Sequence, residues 1–262
     1  MIAEDCKRQK KDLSIAWIDY KKAYDSVSHN WIIKSLEIMG ISNVLGDSLS
    51  PILFCIAMAP LTYELNRLNC GYQMKNENVK VSNLLYMDDL KIFGKNEQEL
   101  RKEVKVIQTY STDIGTEMGL EKCAKVTFKR GERVKSEGIE VGDSDLIKEL
   151  GENETYKYLG MNESRGIDET QVKDRLRREY IMRVRKVLKS ELNSRDKMLV
   201  IGEIAVPVLQ YSFGVVNWKI KELENIDSQT RKMLTTYKMH HPKADVDRLY
   251  TSRKDGGRGL MQ

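Results

Sequence analysis

The stretch NLLYMDDLKIFG, Asn83 to Gly94, places two adjacent carboxylates, Asp88 and Asp89, inside an apolar run. A third acid, Asp19, closes the apolar stretch LSIAWIDY, and Asp25 follows six residues later. Neighbouring ionised carboxylates in apolar surroundings repel each other and lose hydration. The nearest basic residue in the run is Lys91, so the compensating charge is expected from outside the chain. One acid at a strand end, with an acidic pair in a neighbouring strand, is a donor set for two divalent cations. Oxygen ligands suit Mg²⁺, with Mn²⁺ as a substitute. Two such ions about 3.5–4 Å apart can stabilise both the attacking and the leaving oxygen of a phosphoryl transfer. Taken alone, two adjacent aspartates more often mark a solvated turn.

The elements that must position these acids are readable from hydrophobic period. LSIAWIDY, Leu13–Tyr20, is apolar on both faces, as a strand buried on both sides would be. NWIIKSLEIMG reads as a helix with Ile32, Leu36 and Met39 on one face and Gly40 at its C-terminal cap. SPILFCIAMAPLTYELNRL reads as a second helix, with Ser50 as cap and Pro51 in the first turn. The acidic run reads as a buried strand or tight hairpin. NEQELRKEVKVIQTYSTDIGTEMG is an amphipathic helix, its buried stripe Leu100, Val104, Ile107, Ile114 and Met118, opened by a capping box of Asn96 and Glu99. AKVTFKR reads as a strand, residues 131–155 as a polar hairpin with loops, and YKYLGMN as a short strand. From Glu169 the pattern is wholly helical, which sets a subdomain boundary. The order implies an α+β layer, an antiparallel-rich sheet backed by helices, followed by an all-helical part.

Composition excludes several classes. The 262 residues suffice for one large or two small domains, and the net charge of +5 permits nucleic-acid binding without arguing for it. Cys6, Cys55, Cys70 and Cys123 form no C-x-x-C pair, and His29, His240 and His241 add no zinc spacing. Free thiols in a reducing compartment are expected. The N-terminal MIAEDCKRQKKD lacks the apolar core of a signal peptide, and the run LFCIAMAPL is too short to span a bilayer. The segment KDRLRREYIMRVRKVLKS carries Lys173, Arg175, Arg177, Arg178, Arg183, Arg185, Lys186 and Lys189 against Asp174 and Glu179. On a helix this is either a solvated face or a cationic surface for backbone phosphates.

AWIDYKKAYDSVSHNWI, GDSLSPILFCIAMAPL, LLYMDDLKIF, GLEKCAKVTF and YKYLG occur in that order. Together they resemble successive motifs of reverse transcriptases, most closely those of non-LTR (LINE-type) retrotransposons. The helical end, AVPVLQYSFGVV through GGRGL, resembles the thumb and following segment of the site-specific branch. The resemblance implies a right-hand polymerase palm over residues 1–163 and a helical thumb over 164–262. It implies RNA-directed DNA synthesis with two Mg²⁺ ions, an RNA template, a DNA primer and deoxynucleoside triphosphates as partners, and an intracellular, nuclear setting. It implies Asp19 and Asp88 as metal ligands and Asp89 as the supporting acid. Tyr24 matches the aromatic gate that rejects a 2′-hydroxyl, or is an ordinary core aromatic. Gly46, Asp47, Ser48 and Pro51 match the motif along template and nucleotide, or simply start a helix. Lys122 matches the lysine near the departing pyrophosphate, or is an exposed lysine. Tyr158, Leu159 and Gly160 match the primer grip, or form a turn. Arg175, Arg177, Arg178, Arg183, Arg185 and Lys186 fall on the matching thumb helix.

The chain also departs from the pattern. The family's fingers subdomain would precede Asp19, where only eighteen residues stand. The link from Gly40 to Gly46 is short, and Leu45 stands where the family usually has Gln. Weaker positioning of template and nucleotide predicts impaired polymerisation. A nucleic-acid-binding module without catalysis, or a decayed element, is the competing expectation.

Overall fold

The structure, a computed structural model, describes residues 2–38, 40, 50–75, 80–142, 145–152, 154–163 and 169–261. The chain divides into two compact units, Met1–Gly166 and Ile167–Gln262.

In the first unit, α1 (Ile2–Gln9) leads into β1 (Leu13–Ile18), every residue of which is buried. Then follow α2 (Ala23–Ser26), α3 (His29–Ile38) and α4 (Ser50–Arg67). A short pair, β2 (Tyr72–Gln73) and β3 (Lys80–Val81), precedes the acidic hairpin β4 (Asn83–Tyr86) and β5 (Asp89–Gly94). Next come α5 (Glu97–Ile114), β6 (Ala124–Lys129), β7 (Glu132–Val134), β8 (Ile139–Val141), β9 (Asp145–Glu149), β10 (Tyr156–Tyr158) and β11 (Met161–Glu163). The main sheet runs β4-β5-β1-β6-β9-β8, with β7 on β6. Its pairings are antiparallel apart from β6 with β9.

Strand alternation divides the core. Ala16, Ile18, Leu90 and Ile92 face a cluster with Phe54, Met58 and Leu61 of α4 and Leu100, Val104 and Ile107 of α5. Ile15, Trp17, Phe93 and Val126 face the other way, onto Tyr72, Tyr156 and Tyr158. Pro60 inside α4 lacks the N–H that would bond the Ile56 carbonyl. Beside it, the Ala57 carbonyl accepts from Trp31 Nε1 of α3 and from Tyr110 Oη of α5, tying the three helices together.

Several sequence expectations are corrected. The amphipathic stripe of α5 stops at Ile114, because Gly115 caps the helix at φ +81°; Met118 instead bridges to Tyr20. Asn96 accepts the Glu99 N–H as expected, but the Glu99 carboxylate takes the N–H groups of Lys95 and Gly71. Residues 131–155 hold three strands rather than one hairpin with loops. YKYLGMN is itself a hairpin, turning at Leu159 (φ +46°) and Gly160 (φ +75°). In the acidic run only β5 is well buried: Leu84, Tyr86 and Met87 are exposed on the sheet edge. Met39, expected on the face of Ile32 and Leu36, lies outside the described residues, as does the short link to Gly46.

In the second unit, α6 (Glu169–Lys189) buries Val172, Leu176, Tyr180, Val184, Val187 and Leu188 at helical spacing. It is followed by α7 (Ser194–Val200), a π-helical turn at Ile201–Ala205, α8 (Val206–Gln210), α9 (Ile220–Thr236) and α10 (Asp247–Tyr250). Pro207 has no N–H for the Glu203 carbonyl, which suits the wider π winding there. Tyr180 of α6 and Thr230 of α9 share a buried hydroxyl hydrogen bond of 3.0 Å. The four cysteines are free thiols. Among the described residues no helix is long and apolar enough to cross a membrane.

Candidate active site

Register brings the acids together. The β1–β5 ladder ends with Ile18 opposite Leu90, so Asp19 leaves β1 beside Asp89. Both follow the alternation of Trp17 and Lys91, which puts them on the face away from α4 and α5. In the β4–β5 hairpin Tyr86 pairs with Asp89, leaving Met87 and Asp88 as a two-residue turn. Met87 holds φ +55°, a left-handed conformation that costs a non-glycine residue about 1–2 kcal/mol. Asp88, next in the turn, accepts a hydrogen bond from the Tyr24 hydroxyl on its Oδ1 at 3.1 Å. The Tyr24 ring stands edge-on to Phe54 of α4, with centroids 5.6 Å apart.

The electrostatics are those of an anionic centre. Burial, then the charge of Asp88, then that of Asp19 push the Asp89 carboxyl above its usual range. Burial and the neighbouring Asp88 raise Tyr24 as well. Asp19 Oδ2 is buried without a hydrogen-bond donor. Lys122 Nζ stands 3.3 Å from it, close enough for charge but out of line for a hydrogen bond. Lys122 is presented by a tight turn in which the Gly119 carbonyl accepts from the N–H groups of Lys122 and Cys123. Gly119 leaves room for that carboxylate: a Cβ there would lie 3.0 Å from Asp19 Oδ2, which would have to give by a few tenths of an ångström.

The donor chemistry fits a hard divalent cation: three carboxylates, one with an orphaned buried oxygen. Their side chains are not drawn into a closed set, for among the described residues no three acidic, His or Cys groups stand at metal-holding distance. Of the chain's own cations Lys122 stands beside Asp19, while Lys91 is committed elsewhere, to Glu163.

Of the remaining sequence candidates, Gly46, Asp47 and Ser48 lie outside the described residues, and of Pro51 only its place in the first turn of α4 is described. Tyr158 is buried, its hydroxyl donating to the Leu84 carbonyl of β4 at 3.4 Å, and Leu159–Gly160 form the turn beyond it. The cationic run of α6 divides. Arg177 bonds Gln229, Arg183 bonds Glu179 and the Ile204 carbonyl, and Lys173 bonds Glu222 and the Asn217 carbonyl, so these serve the unit's own packing. Arg178, Arg185, Lys186 and Lys189 are exposed on one helical stripe, and Arg175 is half-buried.

Sequence reasoning missed Cys123. Its thiol accepts the Asp19 N–H at 3.4 Å and donates to the Asp19 carbonyl at 3.8 Å. Burial pushes it up to about 11, which keeps the proton it donates. The signal available was its place one residue after Lys122, at the start of a strand bound to pair with β1.

Among the described residues, a seven-stranded, antiparallel-dominated sheet backed by helices, with an acid at the end of a central strand and an acidic pair on the adjoining hairpin, is consistent with the palm of a nucleic-acid polymerase. Residues 2–162 match the profile of the family described as reverse transcriptase (RNA-dependent DNA polymerase), and the chain belongs to that family. It is 25% identical over 96% of its length to the retrovirus-related Pol polyprotein from type-1 retrotransposable element R2 of Popillia japonica. It is 24% identical over 95% to the type-1 R2 polyprotein of Nasonia vitripennis, and 22% identical over 94% to the type-2 element R2DM polyprotein of Drosophila melanogaster. The chain spans 47%, 27% and 26% of those relatives. The first alignment covers 292 residues against a chain of 262, so that relative carries insertions.

Proposed function

We propose that the chain is the RNA-directed DNA polymerase domain of an R2-like non-LTR retrotransposon, with a palm over residues 1–163 and a helical thumb over 164–262. It would extend the 3′-hydroxyl of a DNA primer on an RNA template with deoxynucleoside triphosphates, in an intracellular, nuclear setting. The observation that carries this reading is the β1–β5 register, which sets Asp19 beside Asp89 with Asp88 on the adjoining turn.

Asp19 and Asp88 would hold two Mg²⁺ ions and Asp89 would support them; Asp19 Oδ2 has no hydrogen bond to give up on binding. The ions, when bound, supply the charge that stabilises the attacking and leaving oxygens. The chain's own residues do the rest. Tyr24, seated on Phe54, would lie under the incoming sugar and exclude a 2′-hydroxyl. Lys122 would turn from Asp19 to the departing phosphate and deliver a proton to it. Gly46, Asp47, Ser48 and Pro51 would line the template and nucleotide. Tyr158, Leu159 and Gly160 would hold the primer terminus. Arg175, Arg178, Arg185 and Lys186, with Lys189, would bind backbone phosphates, while Arg177 and Arg183, bonded within their own unit, would stiffen the helix that carries them.

A second reading, a nucleic-acid-binding module without catalysis, is favoured by the open arrangement of the three acids and by a shortened Gly40–Gly46 link. Primer extension separates the two. On a primed RNA template with deoxynucleotides and Mg²⁺, the polymerase reading expects slow incorporation that vanishes in Asp88→Asn. Duplex binding with no incorporation above that control would establish the second reading.

A further inference from the structure

Lys91 is a buried cation that the proposed chemistry does not use. It is 9% exposed on β5, two residues from Asp89 and directly opposite Trp17 of β1. Its ammonium stands 5.3 Å from the Trp17 ring centroid, 5.5 Å from that of Phe93 and 5.1 Å from that of Tyr158, and it pairs with Glu163 at the end of the β10–β11 hairpin. Three aromatic faces and one carboxylate therefore close around a single lysine. Tyr156 of the same hairpin stacks on Trp17 at 4.9 Å.

A buried ion pair is a poor way to gain stability. Replacing both partners by apolar side chains is often neutral or stabilising, whereas charge pairs are best attested as devices that fix one arrangement among several. The β10–β11 hairpin has two three-residue strands and lies on an aromatic surface. Apolar contact alone would hold it down without fixing its slide, because dispersion and burial are non-directional. The Lys91–Glu163 pair supplies the direction, on the sheet face that also carries Asp19 and Asp89.

We infer that Lys91 and Glu163 form a latch that sets the β10–β11 turn relative to the acids, and so positions the primer terminus without touching it. The role rests on the polymerase reading above; the pair is a positioning device, not a catalytic one.

The test uses the full chain carrying Lys91→Met together with Glu163→Met, beside Lys91→Arg as the conservative variant. Melting temperature, amide exchange across residues 156–163, and affinity for RNA template with and without an annealed DNA primer are compared. The double variant is expected to melt at or above the unmodified protein and to bind bare template equally well. Its hairpin amides should exchange roughly tenfold faster, and its preference for primed over bare template should fall about tenfold, with Lys91→Arg, which keeps the charge but not the shape, falling between the two. Unchanged preference in the double variant overturns the inference, since a purely structural pair behaves that way. A double variant that fails to fold does so as well, because the pair would then be a requirement of the core. If the unmodified chain shows no preference for a primed template, the polymerase reading fails and the positioning role falls with it. In that case faster hairpin exchange in the double variant than in the unmodified chain still marks the pair as a structural contact of the hairpin.

Discussion

Glu103 lies on α5 with no solvent exposure, and neither carboxylate oxygen has a hydrogen-bond partner. Burial, helped by the charge of Glu99 one turn earlier, pushes its carboxyl up to about 9 from an ordinary 4.5. The folded state therefore keeps its proton at neutral pH while the unfolded chain loses it. Because the folded value is the raised one, the associated stability is fully present below about pH 4.5 and is lost as the pH climbs towards 9. Each pH unit in that window costs about 1.4 kcal/mol, so the span from pH 5 to pH 8 costs up to about 4 kcal/mol. That is a large part of the 5–15 kcal/mol typical of a whole domain. Glu103→Met keeps the length and helix preference of the side chain and removes the titration. Urea unfolding at pH 5, 6.5 and 8 should show the variant gaining on the unmodified protein by about 1 kcal/mol or more with each step. A gain that is constant across pH, or a loss at pH 8, would refute the reasoning, since either requires an ionised or well-bonded Glu103.

Two further outcomes follow from the site. Gly119→Ala should weaken Mn²⁺ affinity several-fold with little change in melting temperature, because the added Cβ presses on Asp19 Oδ2 rather than on the core; isothermal titration reads it, and unchanged affinity would show that the Asp19 carboxylate has room to move. Replacing Arg178, Arg185, Lys186 and Lys189 together with Ala should reduce the salt slope of duplex binding by up to about 3–4 with stability retained. Arg177→Ala and Arg183→Ala should instead lower the melting temperature, because those side chains bond to other elements of their unit, at Gln229 and the Ile204 carbonyl, whereas Arg178 bonds the Asp174 carbonyl of its own helix; equal effects from the two sets would show that the stripe is not the binding face.

What was legible in the sequence follows the strength of the physical signal. The unbroken apolar run of β1, the capped stripe of α5 and the succession of elements along the chain around the acids could all be read, because burial on both faces and helical period leave a dense pattern. The ends and edges could not. Strands β7 to β9 are short and only partly buried, with Ile139, Val141 and Ile147 as their buried residues, so period carries little. The turn of β10–β11 puts a leucine in left-handed backbone, which composition does not announce. The acids were found, but not the partners that orient them. Cys123 offers a thiol to the Asp19 backbone across more than a hundred residues of chain, and Lys91 turns out to serve a hairpin rather than its neighbour Asp89. Such pairings arise from strand register, which single-sequence pattern does not determine. The cationic helix was recognised as a whole, yet its division into an exposed stripe and internally bonded arginines became visible with α9 in place.

The central claim is that Asp19, Asp88 and Asp89 form a cation-dependent site. Thermal melting of the full chain with and without saturating Mg²⁺ or Mn²⁺ tests it most directly, since a ligand that binds only the folded state stabilises it. The account predicts a rise of roughly 5 °C at a metal concentration about a hundred times the dissociation constant, lost in Asp88→Asn. Melting that ignores the metal, or a rise that survives Asp88→Asn undiminished, would contradict it.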